Sequence, residues 1–119
     1  MPIRIGTRGS KLALVQTETV IKKLSDLGIE SEKIIINTQG DTTTNVTLHE
    51  IGGQGVFVRA LDDAILAGSI DCAVHSMKDI PAFRPAGLFT AAILKRDSPA
   101  DFLAHKGEIG HVRVIGTSS

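Results

Sequence analysis

Ile3 and Ile5 alternate with polar neighbours, the two-residue period of a half-buried strand, before Gly6-Thr7-Arg8-Gly9-Ser10 breaks the pattern. From Lys11 to about Leu27 the period changes. Ala13, Val20, Leu24 and Leu27 recur at helical spacings and give that segment one apolar face. Ser10 is a candidate N-cap and Gly28 a candidate terminator. Ile34-Ile35-Ile36 is a β-branched run that reads as a buried parallel strand. Between Val56 and Ala67, Phe57, Leu61 and Ile65 are spaced by four, and Gly68 closes that helix. Ile70 to Val74, Leu88 to Leu94 and Val112 to Ile115 are further expected strands. Such alternation of strand and helix predicts an α/β architecture.

One stretch fits neither period. Gln39 to Gly55 holds Gly40, Asp41, Thr42, Thr43, Thr44, Asn45 and the glycines Gly52, Gly53 and Gly55. Loops of this length are uncommon in compact domains and are usually functional or disordered, so the segment is expected to act as a lid. Its Gly52-Gly53-Gln54-Gly55 is not a nucleotide-binding P-loop, because no Gly-Lys-Ser/Thr follows. The polar break Lys95-Arg96-Asp97-Ser98-Pro99 is the candidate crossover into a second domain.

Composition narrows the classes. The 119 residues are 42% hydrophobic, enough for a packed core, and 13 Lys+Arg balance 13 Asp+Glu. Nucleic-acid and anionic-membrane binders usually carry a basic excess, so neither partner is expected. No apolar run approaches the roughly 20 residues needed to span a bilayer. The N-terminus enters its first strand without a signal-peptide apolar region. The single cysteine, Cys72, can form neither an internal disulfide nor a Cys-rich zinc site, and the four histidines show no metal spacing. A reducing, cytoplasmic setting is expected.

Candidate chemistry gathers after the strands, where open α/β sheets place their ligands. Thr7, Arg8 and Ser10 follow the first strand. Ser76, Lys78 and Asp79 follow Ile70–Val74, and Thr117, Ser118 and Ser119 end the chain. Two cations, several hydroxyls and helix N-terminal amides suit carboxylates or phosphates, and the carboxylate of Asp79 suits a ligand N–H or positive charge. Each feature also has a plainer reading. Arg8 equally reads as a surface ion pair, Ser10 as a cap alone, and Lys78-Asp79 as a solvated pair before Pro81. His75 reads as a packed histidine and Cys72 as a buried, inert thiol.

Five stretches, Ile5-Gly6-Thr7-Arg8-Gly9-Ser10-Lys11-Leu12-Ala13-Leu14, Thr38-Gln39-Gly40-Asp41, Ile51-Gly52-Gly53-Gln54-Gly55-Val56-Phe57-Val58, Ala73-Val74-His75-Ser76-Met77-Lys78-Asp79-Ile80-Pro81 and Gly116-Thr117-Ser118-Ser119, together resemble the porphobilinogen deaminase (hydroxymethylbilane synthase) family. The resemblance runs the length of the chain in family order. It implies a lobe like those of periplasmic ligand-binding proteins, with a mixed, mostly parallel sheet. Residues 1–94 would form the first domain, with the lid at 39–55, and 95–119 the crossover and beginning of a second.

The resemblance further implies a monomeric transferase of tetrapyrrole biosynthesis that joins four porphobilinogen molecules into hydroxymethylbilane, releasing ammonia. The chain grows on a covalently held dipyrromethane cofactor. Asp79 matches the catalytic aspartate, which would stabilise the cation formed as ammonia leaves. Lys78, Ser76, Thr117, Ser119 and Ser10 match cofactor-binding positions, and Arg8, Gln16 and Phe57 match positions toward the substrate. Gln39 and Gln54 depart from the Lys or Arg common in the family. The family pattern continues past Ser119 with Leu and two arginines, and its cofactor-bearing cysteine also lies further on. Cys72 does not match that cysteine. On this reading the chain is an N-terminal portion, inactive by itself. The rival reading is a non-catalytic carboxylate-binding module on the same lobe.

Overall fold

The computed structural model describes residues 1–37 and 55–117. The lid expected at 39–55, apart from Gly55, and the site residue Ser119 lie outside the described residues. The chain divides into two compact units, Met1–Phe89 and Thr90–Ser119.

The first unit is α/β, with three parallel strands and two helices among the described residues. Strand β1 (Ile3–Thr7) leads through Ser10 into helix α1 (Lys11–Asp26), which returns the chain to β2 (Ser31–Ile35). Helix α2 (Val56–Leu66) precedes β3 (Cys72–Ala73), and a 3-10 turn follows at Met77–Asp79. The strand order is β2-β1-β3, so β1 is central. Ile3 pairs with Ser31 and Thr7 with Ile35 on one side; Ile5 pairs with Cys72 and Gly6 with Ala73 on the other. Backbone bonds from Asp71 N–H to Arg4 O and from Val74 N–H to Gly6 O extend the β3 pairing by a residue at each end.

Local chemistry explains the helix boundaries. Ser10 has extended backbone, and its Oγ accepts the Ala13 N–H at 3.3 Å, satisfying one of the donors that open α1. At the other end Ile29 N–H reaches Leu24 O and Gly28 N–H reaches Ser25 O, the paired closure that a Gly just past the helix permits. Helix α2 closes in the same way at Gly68, whose φ of +73° is costly for any residue with a Cβ.

The core is small. Ile5, Leu61, Ile70 and Val58 are fully buried and Ala13 nearly so. Gly6 permits the closest packing, since a Cβ there would lie 2.2 Å from Ile70 Cδ1 and 3.0 Å from Leu61 Cδ2. Helix α2 can therefore lie directly on the central strand only because this position of β1 has no side chain.

Several expected positions differ. In α1 the buried centre is Ala13 with Thr17, while Leu27 is exposed. Thr17 is tolerated inside because its hydroxyl donates to Ala13 O at 2.8 Å, leaving its methyl to pack. Strand β2 is parallel as expected but not buried, because it lies at the sheet edge and Ile35 is half exposed. Cys72 is half-buried rather than buried. The three described strands are all parallel.

In the second unit, residues 90–117 carry one 3-10 turn, Ile109–His111, and are almost wholly exposed. The strands expected at Leu88–Leu94 and Val112–Ile115 are absent among the described residues. A strand exists by its ladder, and apolar, β-branched sequence cannot form one without a neighbouring strand to bond. No helix among the described residues is long and apolar enough to cross a membrane.

Candidate functional site

An all-parallel sheet sends the segments after its strands to one end, so Arg8 after β1 and Ser76 to Asp79 after β3 converge there. Between them lies a cleft of about 30 Å³ lined by Arg8, Leu12, Ala13, Gln16, Phe57, Val74, His75, Ser76 and Asp79.

The side chains are held in place by one another. The Arg8 guanidinium lies 3.6 Å from the centroid of the Phe57 ring, a cation–π stack that joins the end of β1 to the start of α2. The Gln16 amide donates to Ser76 Oγ at 2.9 Å, and the Ser76 hydroxyl reaches Gln16 Oε1 at 3.1 Å. This pair ties α1 to the segment after β3. Asp79 closes the 3-10 turn, with its backbone N–H bonded to Ser76 O at 3.0 Å, and its carboxylate makes no salt bridge among the described residues. Five expected site residues, Arg8, Gln16, Phe57, Ser76 and Asp79, therefore line one cleft. Ser10 is engaged as the α1 cap beside it, and Lys78 is exposed in the same turn as Asp79 without lining the cleft. Thr117 belongs to the second unit.

Sequence reasoning reads His75 as a packed histidine. It lines the cleft half-buried, and its Nε2 is buried with no hydrogen-bond partner among the described residues. Burial pushes the imidazole below the ordinary range; Asp62 and Asp79 pull it up, while Arg84 and Arg8 push it further down. The Arg84–Asp62 pair, 2.6 Å apart, had no sequence signal, since its partners come from α2 and the segment after Pro81. Asp62 is only 5% exposed, and Arg84 supplies its counter-charge.

Cys72 faces different chemistry. Burial, and then the negative charge of Asp71, raise its thiol above the usual range, which disfavours the thiolate a covalent attachment requires.

Against known proteins, a family model described as "Porphobilinogen deaminase, dipyromethane cofactor binding domain" matches residues 3–119. The chain is 54% identical over 121 residues to a probable porphobilinogen deaminase of Methanosarcina acetivorans, covering 97% of this chain and 38% of that protein. It is 45% identical to the probable enzyme of Archaeoglobus fulgidus, covering 100% of this chain and 43% of the relative. It is 42% identical over 125 residues to the porphobilinogen deaminase of Orientia tsutsugamushi, covering 100% of this chain and 42% of the relative. The chain thus spans about two-fifths of the length of these relatives. A family model matching residues 3–119 and relatives 42–54% identical along the whole chain lead to one conclusion: the chain belongs to the porphobilinogen deaminase family, to whose N-terminal region it is homologous.

Proposed function

We propose that the whole protein carrying this chain deaminates porphobilinogen and joins four molecules of it into hydroxymethylbilane, with the cleft between Arg8 and Asp79 contacting the reacting pyrroles. The observation that carries this reading is the carboxylate of Asp79 in one cleft with the guanidinium of Arg8. A receptor for carboxylates alone gains nothing from a carboxylate in its midst, whereas a site that develops positive charge does.

Each group has a task on this reading. Arg8, steadied by Phe57, meets an acetate or propionate side chain, for which a planar guanidinium is suited to bidentate contact. Asp79 accepts the pyrrole N–H and faces the positive charge that appears as ammonia departs; the same carboxylate can hold or move a proton during coupling. Gln16, paired with Ser76, presents neutral polar atoms along the same wall.

Dipyrromethane, a pyrrole pair bearing carboxylates, belongs to the same reading, since Arg8 in the cleft suits a carboxylate and Asp79 a pyrrole N–H. When bound, that group supplies the pyrrole carbon to which new units are added. Lys78, Ser76, Ser10, Thr117 and Ser119 are assigned to its carboxylates and pyrrole N–H groups. Its covalent link is assigned to a cysteine outside this chain, since the Cys72 thiol resists ionisation. The finer architecture belongs to the same reading: a periplasmic-binding-protein-like lobe with a mixed sheet at 1–94, the start of a second domain at 95–119, and a monomeric protein.

Porphobilinogen consumption and ammonia release by the whole protein test the proposal. Steady turnover to a linear tetrapyrrole is expected. Binding of porphobilinogen without ammonia release would favour the non-catalytic carboxylate-binding module. The 119-residue chain incubated alone should show no dipyrromethane adduct by intact mass, and an adduct on Cys72 would overturn the cysteine assignment.

A further inference from the structure

The segment that follows Asp79 runs as a strap along helix α2. At the helix N-cap a Cβ on Gly55 would lie 3.8 Å from Pro81 Cγ, and in the last turn a Cβ on Gly87 would lie 3.8 Å from Leu66 Cδ2. Between these two points Arg84 Nη2 donates to Asp62 Oδ1 at 2.6 Å, the one hydrogen bond between strap and helix among the described residues. The spacings match, because seven helical residues from Gly55 to Asp62 and three extended ones from Pro81 to Arg84 each cover about 10 Å. In its first turn the same helix carries Phe57, on which Arg8 stacks. One ion pair therefore joins the Arg8–Phe57 wall of the cleft to the strap that begins at Asp79.

We propose that Asp62 and Arg84 are positioning residues for the reaction, fixing where the Asp79 carboxylate stands relative to the Arg8–Phe57 wall. This rests on the function proposed above and adds two residues to it. Neither lines the cleft, so both act through the strap and the helix. Stability alone accounts poorly for the pair. Asp62 is buried, and Arg84 Nη1 is buried with no hydrogen-bond partner among the described residues. An incompletely matched buried ion pair is often no better for stability than a well-packed apolar pair, whereas its hydrogen bond has direction and sets a register. The contacts of Pro81 and Gly87 tolerate sliding along the helix; the ion pair does not. A misplacement of about 1 Å can lower a rate about 100-fold, so a slipped strap should harm turnover more than affinity.

The test is a set of variants in the whole, cofactor-loaded protein. Asp62→Leu combined with Arg84→Met replaces the pair by apolar groups, so the urea midpoint should stay near that of wild type. Its kcat should nevertheless fall at least about tenfold, with KM for porphobilinogen within about threefold. Arg84→Lys keeps a charged donor for the single bond and should recover most of that turnover. Wild-type kcat in the apolar pair, or kcat losses that follow the urea midpoint across the variants, would make the pair structural and overturn the inference. An Arg84→Lys variant as slow as the apolar pair would overturn it too. Should the apolar pair fail to fold, Arg84→Gln, too short and uncharged to hold the same bond, takes its place. There the Asp79 amide signal should move and that of Asp71 should not; an unmoved Asp79, or equal movement of both, overturns the inference. A wild-type protein that never consumes porphobilinogen sinks the functional reading itself, whereas unchanged turnover in variants of an active one sinks only the positioning role.

Discussion

The two ends of the sheet carry the same residue types and use them in opposite ways. At the N-terminal end Arg4 and Asp71 close on each other. Arg4 Nε and Nη2 lie 3.1 and 2.7 Å from the two carboxylate oxygens, and its Nη1 donates to Gly68 O and Ser69 O at 2.9 and 3.0 Å. The Arg4 backbone N–H adds a further bond to Asp71 at 2.8 Å. At the C-terminal end Arg8 and Asp79 line a cleft instead, and His75 keeps a buried nitrogen unmatched among the described residues. Arg4 and Asp71 are spent on each other, whereas Asp79 makes no salt bridge among the described residues and lines a cleft. A parallel sheet assigns these tasks to opposite ends because its connections all cross the same way.

The largest expected effect breaks the chemical end. Asp79→Asn keeps shape and removes the charge, so in the whole, cofactor-loaded protein turnover should fall by at least about 100-fold, given the ~2.7–4 kcal/mol such groups commonly supply. Turnover within a few-fold of wild type would remove Asp79 from the mechanism.

The next effect is on folding. Asp62→Asn leaves Arg84 without its counter-charge in a largely buried place, where breaking such a pair costs about 3 kcal/mol, at the low end because Arg84 is partly exposed. Urea unfolding checks this, and an unchanged midpoint would mean that water or another group satisfies Arg84.

Smaller is the loss of the α1 cap. Ser10→Ala should cost about 1 kcal/mol. If Ser10 also meets a ligand, porphobilinogen affinity falls beyond what the stability loss explains; if it only caps, affinity stays level.

The smallest effect sharpens the contrast through pH. The Arg4 side chain first, then its backbone N–H, hold the Asp71 carboxyl down to about 2 from its ordinary 3.8. A carboxyl whose pKa is lower in the folded state stabilises the fold above its ordinary value and loses that contribution as pH falls toward its folded one. The clamp end should therefore weaken only between about pH 4 and 2. His75 is also lowered, from 6.5, so protonation favours the unfolded chain and the cleft end should begin to lose stability as pH drops below that value. Arg4→Met should erase the acidic step and leave the upper one. Denaturant midpoints measured across pH check both.

Much of this was legible because it is local. The alternation around Ile3 and Ile5, the Ser10 cap and the Gly28 and Gly68 terminators are written within a few residues of where they act. Arg8 and Asp79 were legible for a topological reason, since both follow strands. Thr17 was missed because a hydroxyl that bonds its own helix behaves as an apolar residue. Arg84–Asp62 joins groups that only the fold brings together, and nothing periodic marks either one. Segments 88–94 and 112–115 have strand composition, but composition cannot supply the neighbour that a ladder needs.

Amide chemical shifts in the whole protein titrated with porphobilinogen report directly on whether a ligand touches one end of the sheet and not the other. Shifts concentrated at Arg8, Phe57, His75, Ser76 and Asp79, with Arg4, Ser69 and Asp71 unmoved, are the predicted result. Movement centred on the Arg4–Asp71 end, or none near Asp79 at saturating porphobilinogen, would contradict the account.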